Sequence, residues 1–296
     1  MRRPAVTGLL LAAFVAAVPT QTMESQGTRG TSGVADWQPV RPGVWYRETR
    51  MAAGGPLAVV AAVAVRIDPR SASFSLDAPA GNPTWTIDDI GAAGVVAFNA
   101  GQFRAGGSWG WVVREGVELQ PPGDGSVVMS FVVDSAGVPS LIEQSELAAR
   151  RGHVRLAFQS YPALLLGDGA LPRELEAAGR GVDLDHRDSR LALGLRDDGS
   201  IIVLLTRFSG LGSGVGGTLP FGPTVREMAA YMRSLGCRRA VLLDGGVSGQ
   251  LALRARDGTL RRWANWRSVP LGLVVTPTGT LTAAVGPTTP AASRSP

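Results

Sequence analysis

One stretch, residues 222–253, contains a helix, a tight stop, a buried strand and a polar loop in immediate succession. Thr224 is a suitable N-cap, and Glu227 three residues later completes a capping box. Apolar residues then recur at the spacing of one helical face, and Gly236 suits a left-handed C-terminal cap. This order predicts a helix that leads directly into a buried strand.

The polar loop that follows this strand is the first candidate site. The strand ends at a carboxylate, two glycines and a hydroxyl, namely Asp244, Gly245, Gly246 and Ser248. Glycines let backbone N–H groups approach a ligand closely, and the two polar side chains supply further contacts. A simple turn uses the same residue types, so the pattern alone leaves a turn and a site equally open.

Composition limits the fold class and the partners. A chain of 296 residues, 45% of them hydrophobic, can bury a large core. The 39 glycines and many short valine-rich runs favour an α+β fold, with a mixed, strand-rich β-sheet core and a few helices in a single large domain. All 29 basic residues are arginines, and acidic residues lie among them, which argues against nucleic-acid binding. The single cysteine, Cys237, excludes an internal disulfide and is expected to be buried.

The two ends of the chain predict export and flexibility. Two arginines precede an apolar run over residues 5–18, which is short for a membrane span. This order predicts a signal peptide over 1–22, with an uncleaved anchor as the alternative. The protein is then secreted or periplasmic and has no membrane contact after cleavage. A flexible linker over 23–36 and a disordered tail over 277–296 leave 37–276 as the folded domain.

Apolar runs predict the remaining strands. The run 59–67 suits a central strand buried on both faces, with 74–76 as its shorter partner. Segments around glycine-containing turns predict hairpins at 112–119, 127–142 and 191–206. Four glycines within 210–217 predict a loop that can act as a lid.

Two other predicted strands, 95–98 and 163–166, also have small or polar residues at one end. Asn99, Gly101 and Gln102 follow the first, and Ser160 and Tyr161 precede the second. Amides and hydroxyls suit hydroxyl-rich or phosphate-bearing ligands. A turn in which Asn99 bonds to backbone, or a half-buried Tyr161, remains the alternative. Trp109 and Trp111 are either a platform for a sugar ring or buried hydrophobic residues.

Metal and cofactor sites have little support in the sequence. The only histidines, His153 and His186, are too far apart for a typical metal motif. His186 precedes Arg190 closely and is a candidate general acid or base, although its partner is not visible. No cofactor is predicted. A divalent cation at Asp244 stays open, although the oxygen cluster that such ions prefer is not evident.

Four segments, in order, resemble motifs of the phosphodiester glycosidase family. They are Phe98–Phe103, Gln159–Gly169, Ser189–Gly194, and the helix that leads to Leu243–Ser248. Together they span about 98–276 of the chain. The family includes an enzyme that removes N-acetylglucosamine from mannose-6-phosphate diesters, and many bacterial members are exported.

The resemblance implies an exported hydrolase of a glycosyl phosphodiester or a related cell-envelope glycan linkage. It implies catalytic roles for Asp244, Arg190 and His186, and substrate contacts from the small and polar residues named above. The forked donors of arginine suit a phosphate, and glycoside cleavage normally uses two carboxylates, of which the sequence identifies one. The alternative is a carbohydrate-binding or exopolysaccharide-associated protein that lacks the chemistry. The chain departs from the family at Leu191, where threonine is usual, and its histidine is displaced to His186.

Overall fold

The computed structural model describes residues 36–52, 59–77, 85–104, 107–177, 182–208, 222–263 and 267–278. They belong to one compact unit. The predicted signal peptide, the glycine-rich loop 210–217, and nearly all of the predicted linker and tail lie outside these residues. The folded chain reaches Thr278, whose backbone N–H donates to Ser71 O at 3.1 Å.

The described strands form three large sheets and a two-stranded ribbon, and every strand pair is antiparallel. Sheet A contains, in spatial order, β1 (Gln38–Arg41), β2 (Val44–Ala52), β3 (Val59–Ile67), β15 (Ile201–Phe208), β14 (Arg190–Arg196), β16 (Cys237–Leu243) and β13 (Ala163–Leu165). Sheet B contains β18 (Leu260–Trp263), β17 (Leu251–Arg254), β5 (Val96–Asn99), β19 (Gly272–Pro277) and β4 (Ala72–Asp77). Sheet C contains β11 (Pro139–Glu143), β10 (Met129–Asp134), β12 (Val154–Ser160), β8 (Val112–Arg114) and β9 (Val117–Gln120). The ribbon pairs β6 (Gln102–Arg104) with β7 (Gly107–Trp109).

The described helices are few and short. They are α1 (Leu147–Arg150), α2 (Val225–Ser234) and 3-10 turns at Pro69–Ser71, Ile87–Ile90, Gln144–Glu146, Arg173–Glu176 and Gly246–Ser248. Thr224 caps α2 with Glu227 in the predicted capping box, and Gly236 follows the helix at a φ of +84°. None of the helices in the described ranges is long and apolar enough to cross a membrane. The prediction of a strand-rich fold with few helices is therefore confirmed.

The three sheets share one apolar core. Val65 from sheet A, Phe98 from sheet B and Phe131 from sheet C all belong to it, and each is at most 2% exposed. The Phe131 ring lies 5.3 Å from that of Phe158 and 5.8 Å from that of Phe74. Burying each such side chain stabilises the fold by about 1.5–3 kcal/mol. The core therefore holds the three sheets against one another.

The outer faces of the sheets are covered separately. The apolar face of α2, including Met228 and Met232, packs on sheet A, and Cys237 lies in the same cluster with its thiol pKa raised to about 12 by burial. Trp85 covers sheet B. Trp111 covers sheet C and is fully buried. Trp111 is accordingly a hydrophobic core residue and not a sugar platform.

The predicted central strand is confirmed, but its predicted partner is not. β3 has the predicted limits and lies between β2 and β15. The segment 74–76 instead belongs to β4, which pairs with β19 at the edge of sheet B. Its alternation of buried and exposed residues suits an edge strand of any sheet, and the hydrophobic pattern alone does not select the partner.

Candidate active site

A cavity of about 670 Å³ opens where β14 begins and β16 ends, at one edge of sheet A. This volume lies within the usual range of small-molecule sites. Most of the predicted site residues line it: Gln102, Tyr161, His186, Arg190, Asp244, Gly245, Gly246 and Ser248. The structure thus brings together residues that are up to 146 positions apart in the sequence, from Gln102 to Ser248.

The loop after β16 lies directly against the start of β14. Gly246 N donates to Ser189 O at 2.8 Å, and Asp244 N donates to Gly101 O at 2.9 Å. A Cβ atom at Gly245 would lie 2.6 Å from Ser189 O, and Gly246 has a φ of +53°. Glycine is required at both positions for the loop to approach so closely. Gly101, predicted as a substrate contact, instead lies beneath this loop and supports its backbone.

Asp244 is a half-buried carboxylate at the edge of the cavity. Burial raises the pKa of Asp244 above its ordinary value, and the negative charge of Asp188 acts in the same direction. A hydrogen bond from Ser248 and the positive charge of Arg267 oppose that rise in pKa. Burial has the largest effect, so Asp244 holds its proton to a higher pH than an exposed aspartate.

Arg190 faces the same cavity from the neighbouring strand. Leu191 pairs with Leu243 in the ladder of β14 and β16, and this register sets Arg190 opposite Asp244. The Arg190 guanidinium donates to His186 O at 2.7 Å, and among the described residues no carboxylate lies within ion-pair distance of it. Burial lowers the pKa of Arg190. Arg190 is therefore a desolvated cation available to an anionic ligand.

Two predicted substrate contacts lie behind the cavity instead of on its surface. Asn99 is fully buried, donates from Nδ2 to Asp244 O at 2.8 Å and accepts from Gln250 N at 2.9 Å. Ser160 is buried, and its hydroxyl donates to Leu242 O. Buried polar groups must be hydrogen-bonded, and here backbone groups satisfy both side chains. Asn99 and Ser160 therefore position the loop and the strand that carry the site.

An aromatic and polar wall borders the cavity beside the ribbon. Gln102 Nε2 donates to Tyr161 O at 2.9 Å. The Tyr161 ring packs edge-on against Trp109 with 4.7 Å between ring centroids, and the Arg104 guanidinium lies 5.5 Å from the centroid of Trp109. The hydrogen bond fixes the Gln102 amide against the backbone of Tyr161, and both residues line the cavity.

His186 is exposed at the rim, on a loop that is anchored to α2. Its backbone N–H donates to Asp183 Oδ1 at 3.0 Å. The next residue, Arg187, pairs with Glu227 at 2.8 Å, and Leu184 O accepts from the first residue of α2 at 3.1 Å. These bonds hold the backbone of the loop at the mouth of the cavity.

Sequence reasoning missed four charged residues that line the cavity: Arg104, Asp183, Asp188 and Arg267. The only signal for Asp188 was its place two residues before Arg190 in a charged stretch. Within the described ranges, no group of three or more histidine, cysteine or acidic side chains is arranged to hold a metal ion.

Comparisons with known proteins add a family and a fold. Residues 92–276, more than half of the chain, match the sequence model of the phosphodiester glycosidase family. The fold is similar to the catalytic domain of zebrafish N-acetylglucosamine-1-phosphodiester alpha-N-acetylglucosaminidase, in a structure auto-inhibited by the pro-peptide. The TM-score is 0.62 at 17% identity, over 82% of this chain and 88% of that one. A hypothetical protein from Synechocystis has a TM-score of 0.49 at 17% identity, over 80% and 64% of the two chains. No curated protein matches the chain in sequence.

Proposed function

The chain belongs to the phosphodiester glycosidase family, and we propose that it is an exported hydrolase that cleaves a glycosyl phosphodiester or a related cell-envelope glycan linkage. One observation carries this proposal. Asp244 and Arg190 line one cavity from opposed positions on neighbouring strands, and within the described residues neither forms an ion pair. Structural ion pairs satisfy their charges locally, whereas these two groups stay available to a substrate.

Arg190 binds the phosphate of the substrate. A guanidinium presents its donors in a fork that matches two phosphate oxygens, and charge-assisted bonds of this kind are about twice as strong as neutral ones. Partial burial of Arg190 strengthens its attraction for an anion, because less water screens the charge. Arg267 adds a second positive charge at the same cavity.

Asp244 acts as the general acid. Its raised pKa keeps a proton available for the oxygen that leaves the anomeric carbon. A phosphate leaving group needs less protonation than a sugar alkoxide, so the acid and Arg190 share the stabilisation of the leaving group. The hydroxyl of Ser248 donates to the Asp244 carboxylate and orients it.

The remaining cavity residues bind the sugar and assist proton transfer. Gln102 and Tyr161 offer amide and phenol groups on one wall, and the backbone of Gly245 and Gly246 forms another side. We propose His186, at the rim, as a second proton carrier, because an imidazole both donates and accepts protons.

The test is release of N-acetylglucosamine from UDP-N-acetylglucosamine or from a GlcNAc-1-phosphodiester by the purified chain. We expect release by the wild type, and loss of release in Asp244→Asn and Arg190→Ala, with circular dichroism to check folding. Arg196→Ala, at the other end of β14, is the matched control and should remain active. Full activity in Asp244→Asn contradicts the proposed mechanism. Glycan binding without release, by a folded protein, instead supports a carbohydrate-binding role.

A further inference from the structure

A second carboxylate lies beside the candidate acid, on the loop that precedes β14. We propose that Asp188 is the base of this site and activates the water that attacks the anomeric carbon. The proposal rests on the hydrolytic function proposed above. It identifies the partner that glycoside cleavage requires and that the sequence left unnamed.

The geometry packs the Asp188 carboxylate against the loop of Asp244. Asp188 Oδ1 accepts from Ser189 N at 2.7 Å. A Cβ atom at Gly246 would lie 3.0 Å from Asp188 Oδ2 and 3.6 Å from its Cγ. Gly246 is two residues after Asp244, so the Asp188 carboxylate lies against the loop that carries the candidate acid. The contact also explains why this loop carries glycine where it faces Asp188.

The charge of Asp188 reaches the candidate acid. Burial is the main cause of the raised pKa of Asp244, and the negative charge of Asp188 is the smallest of the four effects on it and acts in the same direction as burial. Two like charges in one cavity favour a state in which one group holds the proton and the other carries the charge. Such pairs of environments separate an acid from a base in other hydrolases. The other charged and titratable residues that line the cavity are Arg104, Tyr161, Asp183, His186, Arg190 and Arg267.

The residue between Asp188 and Arg190 gives an independent sign of a polar ligand. Ser189 lines the cavity and is 3% exposed, and its hydroxyl has no hydrogen-bond partner among the described residues. A buried hydroxyl without a partner destabilises the fold, so native structures rarely leave one unsatisfied. A water or substrate oxygen beside Asp188 would satisfy it.

The reaction that follows balances in atoms and protons. A water oxygen bonds to the anomeric carbon, and the proton of that water passes to the Asp188 carboxylate. The bond between the anomeric carbon and the phosphate oxygen breaks, and that oxygen takes the proton of Asp244 while Arg190 holds the phosphate charge. The products are the free sugar and a phosphate monoester. Exchange with solvent then removes the proton from Asp188 and restores that of Asp244.

The test compares Asp188→Asn with Asp185→Asn in the full chain, on a GlcNAc-1-phosphodiester. Asp185 lies on the same loop, its side chain is 85% exposed, and it does not line the cavity. We expect Asp188→Asn to lower kcat by about 10²- to 10⁴-fold with little change in KM. Any fall of kcat at low pH in the wild type should be absent from this variant. Added azide should restore turnover and form a glycosyl azide, because this anion attacks without a base. Asp185→Asn should behave as the wild type.

Each outcome separates the two proposals. Full kcat in Asp188→Asn, with Asp244→Asn inactive, overturns the role of Asp188 and leaves the hydrolase intact. A lowered kcat that azide does not restore, with the low-pH fall retained, makes Asp188 a positioning residue and also overturns the proposal. No hydrolysis by a folded wild type removes both proposals. Where Asp188→Asn does not fold, Asp188→Glu decides: a displaced base lowers kcat and keeps its pH dependence, whereas unchanged kcat contradicts the role.

Discussion

The two ends of β14 carry the same residue types and use them in opposite ways. At one end, Arg190 has no described carboxylate within ion-pair distance and lies opposite the half-buried Asp244. At the other end, Arg196 pairs with Asp198 at 3.0 Å, and Asp198 also accepts from Ser200 N at 2.9 Å. The charges of Arg196 and Asp198 are paired within the turn, whereas Arg190 and Asp244 have no ion-pair partner among the described residues.

The pKa directions follow from this difference. Hydrogen bonds from the Ser200 hydroxyl and backbone, with the charge of Arg196, lower the pKa of Asp198 against the effect of burial. At Asp244 burial is the largest effect and raises the pKa. An aspartate in a cavity whose burial outweighs its bonds is a candidate functional group, in line with the role proposed for Asp244.

The largest expected effect is the difference in kcat between substitutions of the two aspartates, Asp244 and Asp198. Asp244→Asn should lower kcat by about 10²- to 10⁴-fold, because it removes the acid but keeps the shape. Asp198→Asn should leave kcat unchanged. Steady-state kinetics on a GlcNAc-1-phosphodiester measures both variants, and equal losses would show that the two ends do not differ.

The next effect concerns the arginines. Arg190→Ala should lower kcat/KM by roughly 10- to 100-fold, since a hydrogen bond to a charged group contributes about 1.5–3 kcal/mol. The loss should shrink for a neutral aryl glycoside, which has no phosphate to bind. Arg196→Ala is the control on the same strand. A loss of equal size on both substrates would contradict phosphate binding by Arg190.

A smaller effect is expected on the free energy of unfolding, which a substitution in the turn should lower more than a substitution in the cavity. Asp198→Ala removes the bonds to Ser200 and the pair with Arg196, and should lower the free energy of unfolding by about 1 kcal/mol. Asp244→Asn should not lower it, because the neutral amide keeps the shape of Asp244 and avoids the cost of burying its carboxylate in the ionised form. Urea unfolding measures both values. A greater loss of stability from Asp244→Asn would reverse the comparison.

The smallest expected effect is on the pH dependence of stability, which should have opposite signs for the two aspartates. The folded pKa of Asp244 is raised, so its contribution to stability is present below the unfolded pKa and is lost as pH rises through the folded pKa. The folded pKa of Asp198 is lowered, so its contribution is present above the unfolded pKa and is lost as pH falls through the folded pKa. Relative to the wild type, Asp244→Asn should gain stability as pH rises, and Asp198→Asn should gain it as pH falls. Urea titrations between about pH 3 and 7 would disprove this if the two differences changed in the same direction.

The elements that sequence predicted correctly depend on local signals. The cap at Thr224 and the glycine after α2 specify the limits of the helix from a few neighbouring residues. Strand pairing depends on contacts between distant segments, so 74–76 was assigned to the wrong partner and β12 was not predicted. A local pattern identifies a strand but does not identify its sheet.

The candidate site also contains residues that local sequence signals indicate and residues that only the tertiary contacts reveal. The sequence pointed to Asp244 because it follows an apolar strand, and the family resemblance added Arg190; the structure places both at the cavity. The sequence could not separate a polar residue that faces a ligand from one that satisfies buried backbone, and Asn99 and Ser160 are of the second kind. Asp188 was missed because the loop before β14, and not a spacing in the sequence, brings it to Gly246.

The amide of Asn99 has a wider consequence. Asn99 ends β5 in sheet B, and its two hydrogen bonds hold Asp244 O and Gln250 N at the ends of the loop that follows β16 in sheet A. One buried side chain therefore makes the shape of the loop that carries Asp244 depend on a different sheet. Opening this loop would leave a fully buried amide without its two hydrogen bonds, so we expect the loop and the sheets to melt together on heating.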